Sequence, residues 1–148
     1  MQDEMVSVFI DHMNSPRNYG KLESYDGCGI GKNPQNGESV IVYFKLKDAL
    51  INEIAYQVKA CSTTVVSGSI FTDTVKGVSL LEAQTLTNIM LESLESVPEE
   101  EAACSEIVAA AFLAALEHYE NLKIDKDALM VTKLTAKECN PEIADESK

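Results

Sequence analysis

The chain has no Cys-x-x-C pair, no glycine-rich phosphate loop, no paired acidic motif on a strand and no Ser, His and Asp set of the hydrolase kind. Nucleotide-cradling loops, serine-type acyl transfer and two-carboxylate acid–base chemistry therefore have no carrier here. Positive charge is scarce: 12 basic residues stand against 24 acidic ones, a net charge of −12. A phosphate backbone or an anionic membrane surface would repel such a chain, whereas basic partners or metal cations suit it. No apolar run approaches the roughly 20 residues that a membrane span needs. The opening MQDEMVSVFI has no basic region ahead of its short apolar stretch, so it does not read as a signal peptide. A cytoplasmic protein without nucleic-acid or membrane partners is expected. Only two histidines are present, and neither has further ligands at metal-binding spacing. His12 is expected to end the first helix and bond locally, and His118 to meet the C-terminus of its own helix. Internal repeats and low-complexity tracts are also missing.

What is present is enough apolar material, 45% of 148 residues, for one domain with its own core. Met5, Val6, Phe9, Ile10 and Met13 fall at three- and four-residue spacing, one stripe of a short helix that ends before Pro16. Two extended segments, 39–46 and 54–59, flank a polar patch and pair most simply as antiparallel neighbours, with 25–30 as a third strand at an edge. Residues 63–76 turn helical, and Gly77 stands where a glycine ends a helix. Ser79 and Glu82 have capping-box spacing for a helix from Leu80, Asn88 is placed to cap another short one, and Pro98 breaks it. The longest helix is predicted over about 105–122 and is rich in alanine, so neighbours can pack closely. Residues 123–148 form an extension in which 129–134 is a strand or packed segment and the acidic end is expected to be disordered. The sum is an α+β domain over residues 1–122: a small antiparallel three-stranded sheet with helices packed on one face.

The cysteines Cys28, Cys61, Cys104 and Cys139 are widely spaced and stay thiols in a reducing compartment. Cys61 lies where a strand gives way to a helix, and Cys104 where the acidic run 99–101 gives way to the long helix. Unpaired amides and the helix dipole stabilise a thiolate at such places. Two readings stand. The pair converges on a common ion at one end of the sheet, with Glu38 from the polar loop 31–38 as an oxygen ligand, or each cysteine only fills space as a small apolar side chain. Cys28, in DGCGIG, is a further thiol near that loop, and Cys139 lies in the tail. The loop itself, built on Asn-Pro and Asn-Gly, either presents a ligand or only turns the chain.

The stretch HMNSPRNYGKL, from His12 to Leu22, is similar to the H-x-x-x-P-R-N-x-G signature of the IscU/NifU N-terminal family of iron–sulfur cluster assembly scaffolds. VKGVSLLEAQTL, from Val75 to Leu86, resembles that family's V-K-G-x-S-x-x-E-A connection. With the order strand, cysteine, helix and a cysteine by the last long helix, the resemblance covers about residues 5–122. It implies a non-enzymatic scaffold on which a [2Fe-2S] cluster is assembled, with sulfur from a cysteine desulfurase and delivery to iron–sulfur acceptor proteins.

The family's ligands are three cysteines, an aspartate two residues after the first and a histidine just before the last. Cys61 matches the second cysteine and Cys104 the third, but Asn36 stands at the first, Glu38 at the aspartate and Ala103 at the histidine, which makes this a divergent member. The L-P-P-V-K segment read by an Hsp70-type chaperone becomes Val97, Pro98, Glu99, Glu100, Glu101, a charge reversal that argues against chaperone handover. Cluster iron wants four ligands, mostly thiolate, so the set has to be completed: by Cys28 swinging in, by a homodimer pooling cysteines, or by exogenous thiol and sulfide. Iron alone, or zinc with a water, would also suit two thiolates and a carboxylate. The competing expectations are a cluster-free relative that regulates the assembly machinery and a persulfide carrier that accepts sulfur on Cys104.

Overall fold

β-branched and aromatic residues build a long hairpin from β2 (Ser39–Lys47) and β3 (Leu50–Lys59), joined by a two-residue turn in which Asp48 and Ala49 have φ of 55° and 66°. The computed structural model describes residues 2–60 and 62–135, without the side chains of residues 2–6, 9, 100 and 101. The remaining elements are β1 (Gly27–Lys32) and β4 (Val131–Leu134), with helices α1 (Gln2–Asn14), α2 (Ser62–Val75), α3 (Leu80–Ser93) and α4 (Glu99–Ile124). Helices cover one face of the sheet, as expected. The sheet has four strands in the order β3-β2-β1-β4, not three, and β4 runs parallel to β1. β1 is therefore interior rather than an edge; a four-residue strand in the extension offers too few alternations to be read with its partner. α3 also runs unbroken through Asn88, so no second cap is used there.

Val40, Val42 and Phe44 of β2 and Ile54 and Tyr56 of β3 face the helices, where they meet Phe71, Val75, Val108 and Phe112 in one buried cluster. Phe112 meets Phe71 edge-on and Phe44 at a tilt, with ring centroids 5.2 and 6.2 Å apart. The first helix turn of α3 is capped by Ser79, whose hydroxyl accepts the Glu82 N–H at 3.2 Å, and Gly77 closes α2 with φ of 91°.

β1 turns an all-glycine face toward α4. A Cβ on Gly27 would lie 2.5 Å from Ala115 O, one on Gly29 2.1 Å from Ala115 N, and one on Gly31 2.3 Å from Ile107 O. The helix opposes it with Ala111, Ala114 and Ala115, all fully buried, so the two backbones touch. The Ala102–Ile124 stretch of α4 has the length and mean hydropathy, 1.2, of a membrane-spanning helix, a feature the apolar-run criterion passed over. Two-thirds of its apolar window, 67%, is buried within the protein, which marks a core helix.

The opposite sheet face carries a small second cluster of Cys28, Tyr43 and Ala55, with Leu22 and Ile41 against it. The Cys28 thiol is 1% exposed and 3.3 Å from the Met130 thioether, and burial pushes its pKa up to about 11.

Two measurements check this packing. Gly29→Ala is expected to destabilise by about 1–3 kcal/mol or more, because α4 must lift off the strand, whereas Ala49→Gly relieves a left-handed alanine and gains up to about 1 kcal/mol; urea unfolding midpoints that move in the same direction would contradict the pair. The Cys28 thiol ionises at about 9 when unfolded and about 11 when folded. Its contribution to stability is thus complete below pH 9 and lost as pH rises from 9 to 11. Cys28→Ala should flatten the fall in unfolding midpoint over that window, and an unchanged slope would place the thiol in water.

Candidate metal centre

Residues 33–38 close on themselves before β2 begins. Asn33, 2% exposed, donates its N–H to Glu38 O at 2.9 Å and accepts the Gly37 N–H on its carbonyl at 2.8 Å. Its side-chain oxygen takes the Gln35 N–H at 3.0 Å, and Asn36 Oδ1 takes the Glu38 N–H at 2.9 Å. These are two successive Asx turns, finished by Gly37 at φ of 77°. Asn36 thus holds the backbone of the residue whose carboxylate is the oxygen candidate.

The glycine contacts fix where Cys104 sits along the sheet. Gly29 lies against Ala111 and Ala115, and Gly31 against Ile107 and Ala111, so two strand residues advance by about one turn of an antiparallel helix. The next such step brings the turn of Ala103 and Cys104 level with Asn33, where β1 passes into the loop. On the other side of the loop, Ser39 pairs with Lys59, and the chain goes on through Ala60 to Ser62, the start of α2. The loop, the opening turns of α4 and the β3–α2 junction therefore lie toward the same end of the sheet. Cys61 and Cys139 lie outside the described residues.

Several expectations need correction. α4 begins at Glu99 behind Pro98, so Cys104 lies more than one turn inside the helix, beyond the first amides that the N-terminus leaves unbonded. Its side chain is 2% exposed, and activation by the helix N-terminus does not apply to it. The acids at 99–101 occupy that first turn instead, where negative charge complements the dipole. Cys28 is not near the loop. It precedes Lys32 by four residues on β1, roughly 13 Å at about 3.3 Å per residue, and its side chain faces the far side of the sheet from α4. Among the described residues no group of three His, Cys, Asp or Glu side chains is placed to hold one metal. Of the other residues expected to bind metal, Cys104 and Glu38 are described, on α4 and at the end of the loop. By chemistry alone, the expected donors Cys61, Cys104 and Glu38 would be two soft ligands and a hard one, which suits a divalent cation with open positions better than the thiolate-rich shell of a cluster.

Both histidines reach much farther than expected. His12 Nδ1 is 2.6 Å from Ser69 Oγ, which also accepts the Arg17 N–H at 2.7 Å. Asn18 donates from its side chain to Thr72 Oγ1 at 3.0 Å, and its carbonyl accepts the Tyr56 N–H at 3.1 Å. Gly20 donates to Tyr56 O at 2.8 Å, and Arg17 forms an ion pair with Asp11. His12, Arg17, Asn18 and Gly20 are thus a clamp that ties α1 and the segment after it to α2 and β3. The inward stripe of α2, with Thr64, Ser69 and Thr72 buried, was the available sign of it. His118 links β1 to the turn ahead of β4: Nδ1 accepts the Cys28 N–H at 3.1 Å, and Nε2 lies 3.1 Å from Ala128 O.

Residues 4–126 match the family model described as the NifU-like N terminal domain. The chain is 36% identical over 119 residues to the iron-sulfur cluster assembly scaffold protein IscU 1 of Archaeoglobus fulgidus, covering 78% of each. It is 30% identical over 116 residues to the scaffold protein IscU of Escherichia coli, covering 76% of this chain and 91% of the relative. In three dimensions it is similar to the crystal structure of the N-terminal part of a nitrogen-fixing NifU-like protein from Brucella abortus, with a TM-score of 0.59 at 20% identity over 77% of this chain and 92% of that one. With the glycine-faced strand, the clamp and the convergent loop in place, the chain belongs to the NifU-like N-terminal domain family.

Proposed function

We propose that this protein is an iron–sulfur cluster assembly scaffold, holding iron or a labile [2Fe-2S] cluster as cargo at the loop end of the sheet. Cys61 and Cys104 serve as thiolate ligands and Glu38 as the oxygen ligand. What supports the reading is that the 33–38 loop, the opening turns of α4 and the junction from β3 to α2 all lie toward one end of the sheet. Sulfur comes from a cysteine desulfurase and the finished cluster goes to acceptor proteins in a reducing, cytoplasmic setting. The protein works by holding and releasing cargo rather than by turning over a substrate. With acids rather than a lysine opening α4, a lysine-dependent chaperone contact has no counterpart, and a basic surface is the better complement.

Each thiol must lose its proton as it takes iron, so a buried Cys104 binds best when the metal itself supplies the compensating charge. One observation favours the cluster-free alternative, the engagement of Asn36 Oδ1 by the Glu38 amide where the family has a thiol. Anaerobic reconstitution with ferrous iron, sulfide and a desulfurase decides between the two. Visible cluster absorption is expected in the parent chain and lost completely in Cys61→Ser and in Cys104→Ser. Absorption that survives either change would remove that residue from the ligand set. Sulfur mass on Cys104 with no absorption at all would make the protein a carrier instead.

A further inference from the structure

The far face of the sheet holds a second set of soft donors, well away from the loop end. Cys28 directs its S–H at the Met130 thioether, and the two sulfurs are 3.3 Å apart although 102 positions separate them in the chain. The parallel pairing of β1 with β4 makes them neighbours, since Gly29 lies opposite Val131 and each sulfur residue comes one position earlier. β4 lies beyond the family match, which ends at residue 126, so the pair joins the family domain to its extension. His118 fixes both backbones, because its ring holds the Cys28 N–H and the Ala128 carbonyl, two residues ahead of Met130. Leu22, Tyr25 and Tyr43 line the same concavity, with Lys21 and Glu23 at its exposed margin. The Tyr43 hydroxyl is engaged elsewhere, by Gln57 Oε1 at 3.0 Å.

We propose that Cys28 and Met130 form a binding site for a soft monovalent cation, the cuprous ion, separate from the loop-end site. A thiolate and a thioether together are the soft donors that select Cu(I). A charge argument picks the same ion. Cys28 is 1% exposed, and its thiolate with Cu(I) is neutral overall, as is the thiol it replaces. A divalent ion on the same two sulfurs would leave a net charge in an apolar setting. Harder ions also lack the rest of their shell. Among the described residues no three His, Cys, Asp or Glu side chains gather to hold a metal, and both His118 nitrogens are already engaged. At about 2.3 Å per metal–sulfur bond the sulfurs stand at most roughly 4.6 Å apart, so Met130 draws back from its 3.3 Å contact by up to about 1.3 Å. Met130 is 45% exposed and its unbranched side chain has three rotatable bonds, whereas Cys28 is held in an interior strand. On binding, the Cys28 S–H bond breaks and the proton goes to solvent. Sulfur–copper bonds form to Sγ and Sδ, the ligand that carried the ion leaves, and copper stays Cu(I) with no electron transferred.

A full-length chain carrying Cys61→Ser, Cys104→Ser and Cys139→Ser keeps Cys28 as its sole thiol. Anaerobic competition with a chromophoric Cu(I) chelator reads its affinity. This chain is expected to withdraw one Cu(I) from the chelator. Adding Cys28→Ala should abolish the withdrawal, and adding Met130→Leu should weaken it at least about 10-fold, the loss that even an outer-shell change brings. Excess zinc(II) should not displace the copper. Equal affinity with and without Met130→Leu reduces the site to a single thiol and overturns the proposal, as does displacement by zinc. A folded Cys28-only chain that takes no copper overturns it as well. The parent chain supplies a second readout that does not depend on how the substituted chain folds. Its Met130 methyl resonance, identified by its absence in Met130→Leu, should shift when Cu(I) is added to saturation and stay in place with zinc(II). A resonance that Cu(I) leaves unmoved overturns the proposal. The loop-end reading stands or falls separately, because two of its three ligands are missing from the Cys28-only chain.

Discussion

Backbone-on-backbone contact between β1 and α4 is the constraint on which the site depends. Alternating glycines leave the strand without side chains on one face, and buried alanines let the helix settle onto it. Such contact permits little sliding, because each glycine notch receives a particular turn of the helix. It therefore sets the helix along its length as well as its height above the sheet. That longitudinal setting brings the turn of Cys104 level with Asn33 and the loop. A larger residue in the strand would shift a cysteine several turns away.

The N-terminal signature has a comparable role on the other flank. Its histidine, arginine, asparagine and glycine do no chemistry of their own at the loop end. They fasten α1 and its following segment to Ser69, Thr72 and the backbone of Tyr56, with Gly68 leaving room for the Tyr56 ring. α2 is thereby held from outside by α1 and from beneath by β3. Since α2 begins directly after Cys61, a motif far from the site in sequence steadies the scaffold around it.

Much of the architecture was legible because hydrophobic periodicity reports burial directly. The hairpin of β2 and β3, the Ser79 cap, the Gly77 stop and the helical layer all follow from spacing and turn chemistry. What escaped was set by tertiary partners. The start of α4 lies earlier than its apolar spacing implies, because the acids read as a solvated run although a helix N-terminus welcomes them. The late start in turn makes Cys104 read as a helix-mouth thiol. Cys28 is close to the loop in sequence, while the strand carries it to the opposite end and the opposite face. His12 and His118 looked local because their partners, Ser69 and Cys28, lie 57 and 90 positions away. Asn36 acts as a backbone cap within the loop, a role its place in the Asn-Gly turn does not announce.

The outer edge of β3 bears on how such a protein stays in solution. Residues 18–20 bond to Tyr56 there, and the Gly77 and Val78 backbone bonds to Ile51 farther along. At the other margin β4 is only four residues long and carries Lys133. Among the described residues, little unpaired strand is therefore left along the β3 margin, and the β4 margin is short. Sheet pairing between copies is thereby discouraged along both margins of the described sheet.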